Sequence, residues 1–495
     1  MKRKVLLAVI MILCVSSSVE AGGMANVPLN HWSYNAIDRL MAQGIIKNGF
    51  IYTKPYTRYE MAKLIAQSLA NRESGEVTLS SYNNKLLDKL SSEFSEELAF
   101  LGIKVTEKKK RKPFINLFSE EGGVKTYGYL KSEFLDKEEL PITLGFSTFV
   151  DKGDDLSIFG RFHIDYQKKY EQFIRNYIWY LDNVYTQIKL PWFDLELGRD
   201  KIRWGPGYQG ALILSDNAPS FDMIKFSTTI GPVKAVSFTG VLNKSKNRYL
   251  SGHRIETDFL PGINLGFSET TVYSGRGIEP LYFNPLVPLY LCQYILGIDD
   301  NPLIDFDISI HKWKDIMLYG ELLVDDYQIL RPNPEPDALG YLGGAFFCSP
   351  SGKSDVRIEY TRINNYVYSV LKEKNNYVHQ GKIIGHWLGP DAEDLSFEIN
   401  HWISDKIQLT LQYEIENHGE GEIGHPWTPE EGKKNAFLSG IVERKNIIGL
   451  KTSYKPNAQL EFGLGIKFWH TQNKEHIEGI SSEDKEVKAK VKWKF

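Results

Sequence analysis

The chain ends "VKAKVKWKF", and this ending fixes more about the fold than any other stretch. Successive residues of a strand point to opposite faces. The segment therefore presents Val487, Ala489, Val491, Trp493 and Phe495 on one side and Lys488, Lys490, Lys492 and Lys494 on the other. The same two-residue period runs back to Pro113. "LSIFGRFHIDY" sets Leu156, Ile158, Phe162 and Ile164 against Ser157, Arg161, His163 and Asp165, and "PITLGFSTFV" alternates Ile142, Leu144, Phe146 and Thr148 with small or polar partners. "KIQLTLQYEI" opposes Ile407, Leu409, Leu411, Tyr413 and Ile415 to Gln408, Thr410, Gln412 and Glu414, and "LEFGLGIKF" repeats the pattern from Leu460 to Phe468. Each apolar face must be hidden from water by a protein core or by lipid.

Lipid is the better match. From residue 113 there are about 380 residues, and at about 20 residues per strand and turn they make some 16 to 20 strands. The polar face carries Lys, Glu, Arg and His throughout, more charge than a sandwich core tolerates. A closed antiparallel barrel satisfies every backbone group in lipid, turns the apolar face outward and leaves the charged face in a wet lumen. Aromatics form 13% of the chain while mean hydropathy is only −0.31, as alternating strands require. No later run reaches the length of a membrane helix; "LVPLYLCQYILGI" is too short and contains Pro288. A net charge of −3 points to no nucleic-acid partner.

The start, "MKRKVLLAVIMILCVSSSVEAGG", has the layout of a secretory signal with cleavage after Ala21. Leu13 before Cys14 is too large for a lipoprotein site. Cys292 and Cys348 remain, and they either pair or stay as free structural thiols. The expected organisation is a signal peptide over 1–21, a periplasmic helical domain over 22–106, a basic linker "EKKKRK" over 107–112 and an outer-membrane barrel over 113–495. The closing Phe495 also resembles the terminal-strand signal read by the outer-membrane insertion machinery.

Between Asn30 and Ile103 the period is helical. "NHWSYNAIDRLMAQG" lines up Trp32, Ala36, Ile37, Leu40 and Met41 and stops at Gly44. "TRYEMAKLIAQSLA" opens with a capping box, Thr57 with Glu60, and "NNKLLDKLSSEFSEELAFLG" repeats Leu86, Leu90, Phe94 and Leu98. "HWSYNAIDRLMAQGII" followed by "PYTRYEMAKLIAQSL" resembles an S-layer homology module. That resemblance implies a grip on peptidoglycan or wall polymer through Thr57, Arg58 and Glu60. The residues alone allow an equal alternative, in which Thr57 and Glu60 cap a helix and Arg58 is solvated. A single copy is present, and the usual Pro-Asp-Gly loop is missing.

Motifs for chemistry are absent: there is no H-E-x-x-H, C-x-x-C, G-x-S-x-G or P-loop. No catalytic residue, cofactor or metal is assigned. The acidic groups at Asp151, Asp154 and Asp155, and at Asp299 and Asp300, lack a complete calcium pattern, and His470 and His476 flank a polar loop.

One segment stands out, "LELGRDKIRWGPGYQGALILSDNAPSFDMIKFS": an apolar strand, then Arg199, Asp200, Lys201 and Arg203, a Trp-Gly-Pro-Gly turn, and a second apolar run. With "EPLYFNPLVPLYLCQYILGIDDNPLIDFDIS", "LYGELLVDDYQI" and "GHWLGPDAEDLSFEINHW" in the same order, it resembles the Wzi-type capsule-assembly family. The resemblance implies a monomeric, non-enzymatic barrel of about 18 strands that holds capsular or extracellular polysaccharide at the cell surface, amid outer-membrane lipid. Helices of residues 30–103 would plug it from below. Sugar rings want aromatic faces and acidic sugars want cations, which makes Arg199, Lys201, Arg203 and Trp204 polysaccharide-binding candidates. The alternative for this cluster is structural, with a glycine-built turn, a girdle tryptophan and lumen arginines. The alternative for the protein is a wall-tethered porin or solute channel, and an outer-membrane hydrolase or acyltransferase comes third.

Overall fold

A computed structural model describes residues 24–105, 115–117, 123–135, 138–139, 142–152, 156–166, 177–298, 300–326, 336–428 and 437–495. The expected signal peptide, the basic run 107–112, and Asp154, Asp155 and Asp299 lie outside the described residues. Where the two-residue period begins, strand follows strand. The first nine are β1 (Gly123–Leu135), β2 (Ile142–Lys152), β3 (Leu156–Tyr166), β4 (Tyr177–Lys189), β5 (Asp194–Asp200), β6 (Phe221–Ile230), β7 (Val233–Asn243), β8 (Arg248–Leu260) and β9 (Ile263–Ser274). The second nine are β10 (Asn301–Ile310), β11 (Ile316–Asp326), β12 (Ala338–Cys348), β13 (Ser354–Ile363), β14 (Ala392–Ser404), β15 (Ile407–His418), β16 (Glu443–Tyr454), β17 (Leu460–Gln472) and β18 (Ser481–Lys494). Each pairs with the next in antiparallel fashion, and β18 returns to β1 to close an 18-stranded barrel. At the seam Gly128 and Phe495 exchange two backbone hydrogen bonds of 3.0 Å, so the terminal aromatic closes the cylinder.

The facing follows the alternation. Phe306, Ile308, Leu411, Val491 and Trp493 are exposed on the outside, while Arg254, Asp307 and Glu359 on the other parity are buried within. Tight turns join the strands at one end, as at Ile230/Val233, Leu260/Ile263 and Ser404/Ile407, and the long connections 201–220, 275–300 and 364–391 leave from the other. In outer-membrane barrels the short turns face the periplasm and the long loops the exterior. No helix is long and apolar enough to cross a membrane, which is expected when strands do the crossing.

The N-terminal segment forms α1 (Ser33–Ala42), α2 (Arg58–Glu73), α3 (Ser81–Glu93) and α4 (Ser95–Phe100). The long third stretch breaks at Phe94, and Leu87 joins Leu90, Phe94 and Leu98 in the core while Leu86 is only half buried. These helices sit at the short-turn end: Arg39 meets Asp355 at 3.1 Å and donates to the Gly352 carbonyl, Lys85 reaches Asp405 at 2.9 Å, and Gly262 N–H donates to Lys47 at 3.1 Å. From this unit the loop 51–54 rises into the lumen, where Thr53 pairs with Trp204 as a two-residue antiparallel bridge. Long loops fold down to meet it. Trp204, Leu212, Ile213, Tyr368, Tyr377 and Ile384 pack with inward residues of the wall into a core inside the barrel.

The apolar stretch around Pro288 becomes α5 (Leu289–Leu296), in the long loop after β9. Cys292 on α5 and Cys348 at the short-turn end of β12 are both buried and unpaired, so the free-thiol alternative holds.

Candidate functional site

The site grows from the segment singled out above. β5 carries Leu195, Leu197 and Arg199 on its outer side and Glu196 and Asp200 inward. Glu196 accepts from Lys225 at 2.6 Å, Gln187 at 2.8 Å and Asn26 at 2.9 Å, and Asp200 accepts from Asn26 at 2.7 Å and Asn183 at 2.5 Å. Asn26 thereby ties the start of the described chain to the wall. After Asp200 the chain leaves the wall, crosses the lumen and returns at Phe221.

What holds this crossing is a set of wall carboxylates. Glu321 on β11 accepts from the backbone N–H of Gly207 and Leu212, both at 2.6 Å. Glu359 on β13 accepts from Tyr208 N–H at 2.6 Å, Gln209 N–H at 2.8 Å and the Tyr319 hydroxyl at 2.8 Å. Irregular backbone in a lumen has no ladder partners, and buried N–H groups need acceptors. The acids supply them. At Gly205, with φ of 113°, an added Cβ would stand 2.4 Å from Glu321 Oε1, so only glycine admits this close approach.

The four predicted residues part company here. Arg199 makes a bidentate pair with Asp222 on β6, at 2.8 and 3.0 Å. It stays on the same side as Leu195 and Leu197 but at the end of the strand, where the apolar band stops. Lys201 donates to the Asp216 carbonyl at 2.9 Å. Arg203 meets Asp216 Oδ1 at 3.2 Å and donates to the carbonyls of Gly207 and Tyr208. Trp204 has no exposure; it stacks edge-on against Phe238, with centroids 5.4 Å apart. Arg203 and Trp204 therefore hold the loop, whereas Arg199 and Lys201 line an open cavity.

That cavity encloses about 710 Å³. Its wall includes Phe159, Arg161, Tyr180 and Tyr185; Asp182 and Asn183 face it; Asn26 and Pro28 form part of the floor; and Lys382 comes from the loop after β13. Phe159 and Tyr185 lie 5.3 Å apart, and the His163 ring stacks on Tyr180 at 4.6 Å while bonding Asp182 at 2.8 Å. Arg161 is steadied by Ser147 at 3.2 Å. Aromatic faces, four cations (Arg161, Arg199, Lys201 and Lys382) and three carboxylates (Asp182, Asp200 and Asp216) share one cleft. Arg161 was legible on the polar face of its strand, but Lys382 and Asn26 carry no local signal, because only the fold brings them here. Nearby, burial together with the charge of Arg203 pushes His386 down to about 3, leaving a neutral ring against Gly210. Among the described residues no group of three or more His, Cys, Asp or Glu side chains is placed to hold a metal ion.

Thr57, Arg58 and Glu60 are committed to internal bonds. Thr57 and Glu60 form the capping box of α2; Arg58 bonds Glu97 at 2.5 Å and lies over the Phe94 ring; Glu60 reaches Lys234 on β7 at 2.5 Å. Burial alone would raise the Glu60 carboxyl, but the Lys234 ammonium outweighs it and lowers it below the usual range.

Fold and cleft together define an outer-membrane β-barrel, plugged from both ends, with a cavity suited to holding a ligand. The chain belongs to the capsule assembly protein Wzi family, which matches residues 138–479. The solved structure of Escherichia coli Wzi, described as an outer-membrane protein involved in group 1 capsule assembly and a carbohydrate-binding β-barrel, is similar over 95% of this chain and 99% of its own, with a TM-score of 0.63 at 17% identity. Pseudomonas aeruginosa OprD covers 78% of this chain and 98% of its own at 8% identity, with a TM-score of 0.46. Outer membrane protein SlpA of Deinococcus radiodurans is 32% identical over 97 residues, which are 18% of this chain and 8% of SlpA. The chain thus spans less than a tenth of that relative.

Proposed function

We propose that this barrel binds capsular or extracellular polysaccharide at the cell surface and retains it there without chemical turnover. The observation that carries the reading is the 710 Å³ cavity, floored by the plug and lined by Phe159, Tyr180, Tyr185, Arg161, Arg199 and Lys201. Aromatic faces take the apolar faces of sugar rings, and cations take acidic substituents. Deleting the gene is expected to release polymer into the medium while synthesis continues; unchanged retention would overturn the reading. Within the purified protein, Arg161→Ala or Lys201→Ala should weaken polymer binding by about tenfold, the effect of losing one charge-assisted contact.

We assign Thr57, Arg58 and Glu60 to holding the plug rather than to gripping wall polymer, because each already has a partner inside the chain. Wall attachment would need these bonds to open. Peptidoglycan pull-down with the purified protein tests this, and retention lost on Arg58→Ala would restore the wall-binding role.

A further inference from the structure

Among the described residues, a second stretch of inner wall carries exposed side chains. Lys445 and Lys451 on β16, Lys467 on β17, Lys488, Lys490 and Lys492 on β18 and Lys131 on β1 all face inward, since their neighbours Ile448, Leu450, Phe468, Val491, Trp493 and Leu130 are exposed on the outside. Inward residues on β8 and β10 are dry, the Arg254 and Asp307 side chains being 0% and 1% exposed, whereas Lys488 is 46% exposed although it too points into the lumen. Water therefore reaches this wall from within.

Register explains the space. Lys488 stands opposite Gly465, which stands opposite Lys451 on the next strand; Lys467 faces Gly449, and Lys490 faces Gly463. A Cβ added at Gly463 would meet only Lys490 Cβ, at 3.5 Å, and one at Gly465 would meet Lys451 Cγ at 3.6 Å and the Lys488 carbonyl at 3.9 Å. Among the described residues, neither the helices nor the long loops put an atom within 4 Å of a Cβ added at Gly463 or Gly465.

Charge is uneven along the wall. Glu461 takes Lys490 at 3.0 Å and Lys455 at 3.7 Å; Glu133 takes Lys131 at 2.8 Å and lies 3.8 Å from Lys488; Glu416 and Glu414 meet Lys445 and Lys467 at 3.3 and 3.9 Å. Glu486 also faces inward, opposite Lys467. Among the described residues Lys451 and Lys492 have no carboxylate within 4.0 Å; the Lys492 ammonium lies 4.4 Å from the Tyr129 ring centroid. Lys451 and Lys488 thus flank a bare glycine across two strand spacings, about 10 Å in all, with like charges facing one gap.

We propose that the gap over Gly465, between Lys451 and Lys488, is a second binding site, and that it seats a carboxylate of an acidic saccharide chain. An anion there relieves the repulsion of two like charges and gains two charge-assisted hydrogen bonds. The glycines admit a bulky ring against the wall, and Trp469, four residues beyond Gly465 along β17 and 5.7 Å from the Lys445 ammonium, offers an aromatic face to the next part of a chain on the same side. That the anion belongs to a sugar rests on the polysaccharide reading above.

The test is calorimetric titration of the full-length protein in detergent with a short linear oligomer of a hexuronic acid, and with the same oligomer after reduction of its carboxyls to alcohols. The acidic oligomer should bind at least about tenfold more tightly than the neutral one, and more weakly at high salt. Lys451→Gln with Lys488→Gln should remove one acidic-oligomer site from the titration and leave the one in the Arg161–Lys201 cleft, and Lys451→Arg with Lys488→Arg should keep both. Equal binding of the two oligomers, or an unchanged number of acidic-oligomer sites in the glutamine variant, would overturn the site while leaving polymer retention in cells to judge the broader reading. Should the variants misfold, acylation footprinting of the unaltered protein decides: the acidic oligomer should protect Lys451 and Lys488, and equal labelling with and without it would overturn the site.

Discussion

Two sides of the same lumen differ in nearly every respect. Along β8 to β13 the inner wall is acidic and dry. Glu256 receives the N–H groups of Ile51 and Tyr52 at 2.7 and 3.2 Å and the Thr53 hydroxyl at 2.5 Å; Glu321 and Glu359 receive the 207–212 crossing; Arg254 binds Asp307 at 2.5 Å and Thr53 at 2.8 Å. Along β16 to β18 and β1 the wall is lysine-rich, glycine-spaced and wet. Carboxylates are multiple acceptors, so an acidic wall collects the unpaired N–H groups of irregular chain. Lysines offer only donors on long flexible stems, and they keep a solvated face. The difference teaches that the plug docks where the wall can satisfy its backbone, and that the opposite wall keeps its charges solvated.

The contrast predicts how substitutions divide. The largest effect belongs to Arg254→Ala, which leaves Asp307 and Glu256 buried without their cation. It should cost about 3–5 kcal/mol in denaturant unfolding, and a cost below about 1 kcal/mol would mean that the dry wall does not hold the plug. Next, Glu321→Ala strands the N–H groups of Gly207 and Leu212. A loss of about 2–4 kcal/mol is expected, read as faster hydrogen exchange across 205–214 with the barrel strands still protected.

Acid should also loosen the dry side. The folded His386 value of about 3 lies below the unfolded value of about 6.5. Its contribution is therefore complete above about pH 6.5 and is lost as pH falls toward 3. At pH 5 the loss is about 2 kcal/mol, and His386→Gln should flatten that part of the stability profile. A profile unchanged by this substitution would show that the ring is not held neutral by burial. The smallest effect falls on the wet side, where Lys488→Gln should change stability by no more than about 0.5 kcal/mol. A larger cost would reveal a structural partner there and weaken the contrast.

Much of this is legible in the sequence alone. "LSIFGRFHIDY" becomes β3 residue for residue, and "IQLTLQYEI" and "LEFGLGIKF" fall within β15 and β17, because side-chain alternation is a local property of the strand. The Thr57–Glu60 capping box closes within four residues, so it too was readable. Trp204 was not: its setting against Phe238, and its pairing with Thr53 about 150 positions earlier, depend on a loop turning inward rather than outward. The partners of Arg58 and Glu60 were hidden for the same reason, since Glu97 and Lys234 are distant in sequence.

By itself, then, the sequence determined a two-faced strand repeated to the last residue and a short helical preface, since a period of two or of 3.6 is written in adjacent side chains. Only the tertiary structure decided which inward charges would be covered and which left wet, and which of Arg199, Lys201, Arg203 and Trp204 would meet a cavity. Those outcomes depend on packing between segments far apart in the chain, where alternation carries no information.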